Sequence, residues 1–322
     1  MILDRRSLVR GLMGSTAAAA TLPLARRSAL AAIELRYGLE PRQAAPGIWL
    51  FEGRTEYFSV RNGGNIVNTC FVDTGEGLVV FDTGPCRIYG EEMRAAIRRA
   101  SPMPVRQVVL SHAHPDHYLG NQAFTDVPIM AGPATRAMLQ ELAGPFADNM
   151  YRLIDVWMRG TETVPPTEDL AAGLLPFGRR RLEVLLLAGH TRQDAALFDH
   201  DTGTLIAGDL VFWNRAPTTP SADIPSWLRS LDRLEAMAPK RVVPGHGGVS
   251  EGVVAIRQTR RYLEWLAATL GEAAEKGLAM AEAMRLPIPA EFQDIAVLPG
   301  EYVRSVSHLY PAIEQATLPR IN

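Results

Sequence analysis

Three histidines and an aspartate crowd into one short run of this 322-residue chain, Ser111-His112-Ala113-His114-Pro115-Asp116-His117. A compact strand is predicted directly before it, over Gln107–Leu110. Imidazole nitrogens and carboxylate oxygens are ligands that zinc takes in proteins. Because a turn at a strand end can direct alternate side chains toward one point, the run predicts ligands for two adjacent metals. The alternative is a fortuitous exposed cluster.

Three more residues of ligand type follow predicted strands later in the chain. They are His190 after Gly189, Asp209 after Gly208 and His246 after Gly245. Alone, a histidine at a strand end is more often a surface or capping residue, and Gly-Asp is an ordinary turn. Together with the run they form an ordered set of seven possible ligand residues. The two remaining histidines, His200 and His308, are predicted to be surface residues.

Composition and charge exclude several classes of protein. The chain is 47% hydrophobic and 21% charged, which is the balance of a packed globular protein and not of collagen, a coiled coil or a disordered chain. Its net charge of -2 gives no positive field for a phosphate backbone, so nucleic-acid binding is not expected. Neither a Gly-x-Ser-x-Gly nor a P-loop pattern occurs, so no rival nucleophile or nucleotide site is indicated.

Two clusters of short apolar runs predict two packed β-sheets with helices outside. The first cluster comprises Gly47–Glu52, Ile66–Val72 and Leu78–Asp82; the second comprises Leu182–Leu187, Ala195–Phe198 and Thr204–Ala207. Helical spacing predicts Arg87–Ala100, Trp227–Met237, a tail helix from Val253 to about Ala283, and Tyr302–Ala316. We expect one domain over residues 32–322, with a helical extension from about residue 253. A separate helical cap over residues 253–322 is the alternative.

The first 31 residues have the pattern of an export signal. Arg5 and Arg6 precede an Ala-rich apolar run from Gly11 to Leu24, which resembles a twin-arginine signal. The alternative is an ordinary basic N-terminal helix. The prediction is a periplasmic protein that begins near Ala32 after cleavage. The only two cysteines, Cys70 and Cys86, lack Cys-x-x-Cys spacing and are predicted to be unpaired packing residues.

The ordered ligand set resembles the metallo-β-lactamase superfamily over about residues 47–250. The resemblance rests on the Asp82-Thr83-Gly84 turn, the H-x-H-x-D-H run, and the segments around His190, Asp209 and His246. It implies an α/β fold, an αββα sandwich of two mixed sheets with the metals at one edge. By the resemblance, His112, His114 and His190 would hold the first zinc, and Asp116, His117 and His246 the second. Asp209 would bridge both ions, and Asp82 would orient a ligand without binding metal.

Three further segments resemble exported zinc metallohydrolases of quinoprotein relay systems. They are residues 62–69 (NGGNIVNT), 146–152 (FADNMYR) and 215–220 (RAPTTP). This resemblance implies a link to periplasmic quinoprotein dehydrogenases but no substrate. Asp209 argues against a true β-lactamase, because those members of the superfamily lack the bridging aspartate, whereas glyoxalase II-like thioesterases have it.

The expected reaction is hydrolysis of a small ester, thioester or lactone by a zinc-bridged hydroxide, with Asp116 steering the water. Two zinc ions about 3.5–4 Å apart can lower the pKa of a bridging water to about 7. Tyr118 could donate a proton to the leaving group, although packing is its more common role. The loops 53–65, with Arg54 and Arg61, and 214–220 are candidate pocket walls. The alternatives are a glyoxalase II-like thioesterase or a β-lactamase, an iron-dependent persulfide dioxygenase, and a noncatalytic quinoprotein partner.

Overall fold

The computed structural model describes residues 35–317 of the chain. The predicted signal over residues 1–31 lies outside the described residues. Within the described part, no helix is long and apolar enough to span a lipid bilayer.

The first sheet has seven strands in sequential order. Its first four strands form an antiparallel meander, and the next three pair in parallel with their predecessors. The strands are β1 (Arg42–Ala45), β2 (Ile48–Phe51), β3 (Thr69–Asp73), β4 (Leu78–Phe81), β5 (Val105–Val109), β6 (Ile129–Ala131) and β7 (Glu168–Asp169).

The second sheet has six strands, also in sequential order from one edge to the other. Its strands are β8 (Gly173–Leu174), β9 (Leu182–Leu187), β10 (Asp194–Asp199), β11 (Thr204–Phe212), β12 (Arg241–His246) and β13 (Ser250–Glu251). Only β11 and β12 pair in parallel, and their register shifts after Ile206 and again after Gly208. Both sheets are therefore mixed.

Helices cover the outer face of each sheet. The described helices are α1 (Arg87–Ala100), α2 (Pro115–Tyr118), α3 (Pro133–Ile154), α4 (Ile224–Ala236), α5 (Val254–Glu275), α6 (Met280–Ala283) and α7 (Leu298–Thr317). Side chains alternate along each strand. In β3, Cys70 and Val72 point into the core between the sheets, while Phe71 packs in the core shared with α1 and α3. The predicted sandwich of two mixed sheets with flanking helices is confirmed.

The C-terminal helices pack on the outer face of the second sheet. Leu263 and Leu266 of α5 and Tyr302 and Val306 of α7 share one core with Leu205 of β11. The tail helix ends at Glu275, earlier than its apolar spacing predicted. Gly277 adopts a left-handed backbone with φ of 67°, and Leu278 N donates to Ala273 O at 3.0 Å. This closure satisfies the last carbonyls and stops the helix.

Both cysteines are buried free thiols, as the sequence predicted. Cys70 lies in the core between the sheets. Cys86 lies in the outer core of the first sheet, where its Sγ is 3.1 Å from the Tyr37 hydroxyl. Burial raises the pKa of both thiols, so neither has the thiolate character of a reactive cysteine.

Candidate metal centre

The seven predicted ligand residues come from one end of both sheets. The first sheet supplies His112, His114, Asp116 and His117, from the loop after β5 and from α2. In the second sheet, His190 lies in the loop after β9, and His246 is the last residue of β12. Asp209 differs from the sequence-based expectation, because β11 runs through it to Phe212. The positive φ of 52° at Gly208 and the shifted register there allow the strand to continue past Asp209.

The side chains form two groups of possible metal ligands, each with donor atoms within 4.8 Å of one another. In the first group, His114 Nδ1 lies 3.0 Å from His112 Nε2 and 2.8 Å from His190 Nε2. Asp209 completes this group, with Oδ2 3.3 Å from His190 Nε2.

The second group consists of Asp116, His117 and His246. Asp116 Oδ2 lies 3.4 Å from His246 Nε2 and 3.7 Å from His117 Nε2. Asp209 faces this group too, at 3.3 Å from His246 Nε2 and 3.4 Å from His117 Nε2. One carboxylate therefore lies between the two groups.

The donor set has the chemistry of a metal site. His117 Nε2 and Asp209 Oδ1 are buried and have no hydrogen-bond partner among the described residues. Buried polar atoms normally have partners, and a cation would satisfy both atoms. Nitrogen and carboxylate donors together suit zinc better than magnesium or calcium.

Burial keeps most of the imidazoles neutral. It lowers the pKa of His114 to about 4 and holds the pKa values of His112 and His190 well below the usual range. At His117 burial opposes the charged form, but Asp209, Asp116 and Asp82 outweigh it and raise the pKa. Metal ligation needs neutral histidine. The carboxylates that favour a proton on His117 favour a metal cation beside it for the same electrostatic reason.

Hydrogen bonds at the outer nitrogens orient four of the five histidines. Nδ1 of His117 lies 2.8 Å from Asp82 Oδ2, and Nδ1 of His112 lies 2.9 Å from Ser111 Oγ. His246 Nδ1 donates to the Ile66 carbonyl at 2.7 Å, and His114 Nε2 lies 3.2 Å from Ser221 Oγ. Such bonds fix the tautomer and turn the other nitrogen toward the site.

Asp82 holds the loop that carries the candidate ligands, and it also contacts one of them, His117. It is fully buried, adopts a positive φ of 60°, and accepts hydrogen bonds at 2.7 Å from both the backbone N and the Oγ of Ser111. The sequence resemblance implied the role of Asp82 but missed Ser111. The only available signal was its position directly before the histidine run.

A cavity of about 380 Å³ opens beside the two groups. His114, Asp116, Asp209 and His246 line its floor, and Phe58, Ile66, Phe146 and Leu153 are among its apolar walls. Both loops that were predicted as pocket walls contribute side chains. Arg54 and Arg61 do not line the cavity; they lie at the surface, 3.7 and 3.4 Å from Glu56.

Three residues considered from sequence lie away from the cavity. Tyr118 packs in the outer core of the first sheet, where burial raises its pKa, so the structure does not support it as a proton donor. His200 Nε2 lies 2.8 Å from Glu183 Oε2 at the surface, and His308 is exposed on α7.

The sequence model of the Metallo-beta-lactamase superfamily matches residues 62–246, more than half of the chain and all seven ligand positions. The chain belongs to the metallo-β-lactamase superfamily. This membership confirms the family that the ligand pattern indicated.

Relatives within the superfamily differ in their activities. A linear primary-alkylsulfatase from Pseudomonas sp. (strain ATCC 19151) is 23% identical over 292 residues, which cover 77% of this chain and 55% of the relative. The chain thus spans about half the length of that enzyme. The acyl-coenzyme A thioesterase MBLAC2 of Gallus gallus is 26% identical over 212 residues, covering 57% of this chain and 73% of the relative.

Solved structures of the metallo-β-lactamase superfamily share the fold. A β-lactamase domain protein from Burkholderia ambifaria superimposes with a TM-score of 0.62 at 20% identity, covering 88% of this chain and 91% of that one. At this identity the likeness concerns the sandwich alone.

Proposed function

We propose that the protein is a dizinc hydrolase of small esters, thioesters or lactones. The observation that carries the proposal is the double donor group at the floor of a cavity, with Asp209 between its halves. His112, His114 and His190 would hold one zinc, and Asp116, His117 and His246 the other, with Asp209 shared. Two zinc ions bound there would supply a Lewis acid and a water nucleophile at neutral pH.

Asp116 is the proposed catalytic residue. Its side chain lines the cavity and lies beside His246, so its carboxylate is within reach of a substrate as well as of the second group. We propose that it orients the attacking water and accepts a hydrogen bond from it. Ser111 and Asp82 serve only to position ligands, because both are buried behind His112 and His117.

The cavity favours small substrates with an apolar part. Its volume of about 380 Å³ is near the lower end for ligand pockets, and aromatic and aliphatic side chains form much of its wall. Relatives that cleave sulfate esters and acyl-CoA thioesters support the substrate class, because both reactions replace an ester-type bond by attack of water.

We also propose that the protein works in the periplasm beside a quinoprotein dehydrogenase system, as residues 32–322 after removal of a twin-arginine signal over residues 1–31. The Arg5-Arg6 pair and the three segments described from sequence support this proposal. Replacing both arginines by lysine should leave the precursor in the cytoplasm. Arg26→Lys with Arg27→Lys is the matched control and should export normally. Unchanged export of the first variant would exclude the twin-arginine route.

The central test combines metal quantification with a substrate panel. Protein purified without added metal is analysed for zinc and iron, then assayed on thioesters, lactones, sulfate esters, phosphoesters and β-lactams. We expect chelation to abolish hydrolysis and zinc to restore it, with little β-lactam turnover. Efficient β-lactam cleavage would instead assign a lactamase. Iron with oxygen consumption would assign a dioxygenase, and two bound zinc ions without any turnover would favour a binding partner.

A further inference from the structure

A charged wall closes the side of the cavity that faces the C-terminal helix. It consists of Arg215, from the segment after β11, and Glu301 and Arg304, from the first two turns of α7. Glu301 and Arg304 lie outside the matched region, which ends at residue 246, whereas Arg215 lies inside it. Two of the three residues of the charged wall therefore come from the part of the chain that follows the matched region.

Two atoms of the charged wall are buried without a partner. Glu301 is 1% exposed and Arg215 is 4% exposed, yet Glu301 Oε2 and Arg215 Nε have no hydrogen-bond partner among the described residues. An unpaired buried polar atom is costly, and more so on a charged side chain. Both residues line the cavity, so a molecule inside it would lie next to the side chains that carry these atoms.

The hydrogen bonds that hold the charged wall in place use other atoms of the same side chains. Arg215 Nη1 donates to the Ala216 carbonyl at 3.3 Å and to Thr218 Oγ1 at 3.4 Å. Glu301 Oε1 accepts from Arg304 Nη1 at 3.5 Å. A β-bridge between Arg215 and Ala296 joins the segment after β11 to the approach to α7. The wall is thus preorganised, which lowers the entropy cost of binding.

We propose that Glu301 and Arg215 recognise a hydroxyl group on the acyl part of the substrate. A hydroxyl donates one hydrogen bond and accepts another, which matches one carboxylate oxygen and one guanidinium N–H that line the same cavity. Arg304, 3.5 Å from Glu301 Oε1, adds a second positive charge to the wall, so the match to a hydroxyl rests on the donor and acceptor atoms and not on net charge. The apolar residues Phe58, Phe146 and Leu153 would contact the carbon chain.

This inference rests on the proposed function for the position of the scissile bond at the metal groups. The substrate class becomes hydroxyacyl esters or thioesters. Glu301 and Arg215 are specificity-determining residues, because they bind a part of the substrate that does not react.

The test compares matched thioesters of N-acetylcysteamine on the zinc-loaded protein. The pairs are 3-hydroxybutanoyl against butanoyl and 6-hydroxyhexanoyl against hexanoyl. We expect kcat/KM to favour the hydroxyl compound by about tenfold at one chain length, the effect of a hydrogen bond to a charged group. Glu301→Gln, which keeps the side-chain shape, should reduce that ratio to below about threefold. Arg61→Gln removes an exposed arginine outside the cavity and should leave the ratio unchanged.

Each outcome decides the proposal. If the hydroxyl thioester and its deoxy partner are hydrolysed at equal rates at both chain lengths, the charged wall holds only water. That result would overturn the proposal. A hydroxyl preference that survives Glu301→Gln would overturn the assignment of the residue. If no thioester is cleaved, the proposed function is in question, and calorimetry decides the subsite. Selective binding of 3-hydroxybutyrate or 6-hydroxyhexanoate over its deoxy partner would support the subsite, and equal binding would exclude it. The comparison of the wild-type kcat/KM ratios does not depend on whether a variant folds.

Discussion

Asp209 is the residue that faces both donor groups. Burial disfavours its charged form, but the surrounding histidines, His246 and His117 above all, outweigh that effect and hold its pKa well below the usual range, so the carboxylate stays ionised. We expect Asp209→Ala to reduce bound zinc from two ions per chain to about one. We also expect kcat/KM to fall by about a hundredfold or more, since loss of even an outer-sphere partner costs 10–100-fold. Metal analysis and steady-state kinetics measure both effects.

Asp232→Ala is a suitable control for Asp209→Ala, because Asp232 is an exposed acid that pairs with Arg260 on the surface. Exposed ion pairs contribute little to stability, so this variant should keep zinc and activity. An Asp209→Ala protein with two zinc ions and the wild-type rate would remove the shared carboxylate from the proposal.

Asp82 offers a second test at the scale of one residue. Asp82→Asn keeps the size of the side chain but removes the carboxylate that faces His117 Nδ1. We expect zinc affinity to fall about 10- to 100-fold while the fold persists, because the ligand loses its oriented tautomer. Competition with a chromogenic chelator measures the affinity, and an unchanged dissociation constant would contradict the positioning role.

The sequence could predict which candidate ligands come together better than it could predict the residues that surround them. Spacing placed His112, His114, Asp116 and His117 beside one strand end, because the run is local. The partners Ser221 and Ile66 come from distant segments and carry no pattern of their own. The sequence indicated residues 214–220 as a pocket wall but not that Glu301 would line the same cavity, because only tertiary packing brings Arg215 and Glu301 to it.

At the scale of elements, the end of α5 depends on backbone conformation. Gly277 has a positive φ and Gly271 is inside the helix, yet an added Cβ at either would meet nothing within 4 Å. Gly277→Ala should lower the free energy of unfolding by about 1 to 2 kcal/mol. Gly271→Ala should raise it by about 0.5 to 1 kcal/mol. Urea denaturation of the two variants compares them directly, and shifts of the same sign would refute the backbone argument.

Helix prediction succeeded where the apolar spacing was uninterrupted. The predicted helix over Arg87–Ala100 has those bounds in the structure. The long helix α3 was not predicted, because Gly144 and Pro145 interrupt its pattern and its apolar face is weak. The second tail helix begins at Leu298 and not at Tyr302, since Pro299 and Gly300 mask its first turn in the sequence.

For the whole molecule, zinc should raise thermal stability. Zinc at a hundred times its dissociation constant stabilises a folded protein by about 2.7 kcal/mol, which would raise the Tm by about 4 to 5 °C for a domain of this size. Magnesium at the same concentration should leave the Tm unchanged, because it prefers oxygen ligands. Differential scanning calorimetry of chelator-treated protein measures both, and an equal Tm with and without zinc would refute metal binding at this centre.

The layered architecture could be predicted from sequence because it follows from local signals. Short apolar runs predicted the strands, and helical spacing predicted most of the helices that cover the sheets. The position of the C-terminal helices could not be predicted, because apolar spacing shows which face of a helix is buried but not which sheet it packs against. Their contact with β11 depends on pairs such as Thr259 and Phe212, which are 47 residues apart.

The candidate donor atoms are divided between the sheets: four of the residues follow β5 of the first sheet, and three lie in or after strands of the second. Metal ions bound to both sets would cross-link the sandwich along one edge. Along that edge, contact between the two sheets would depend on metal coordination as well as on side-chain packing. Without zinc, we expect the two sheets to separate first along that edge. The rate at which proteases degrade the protein would then depend on the local zinc concentration.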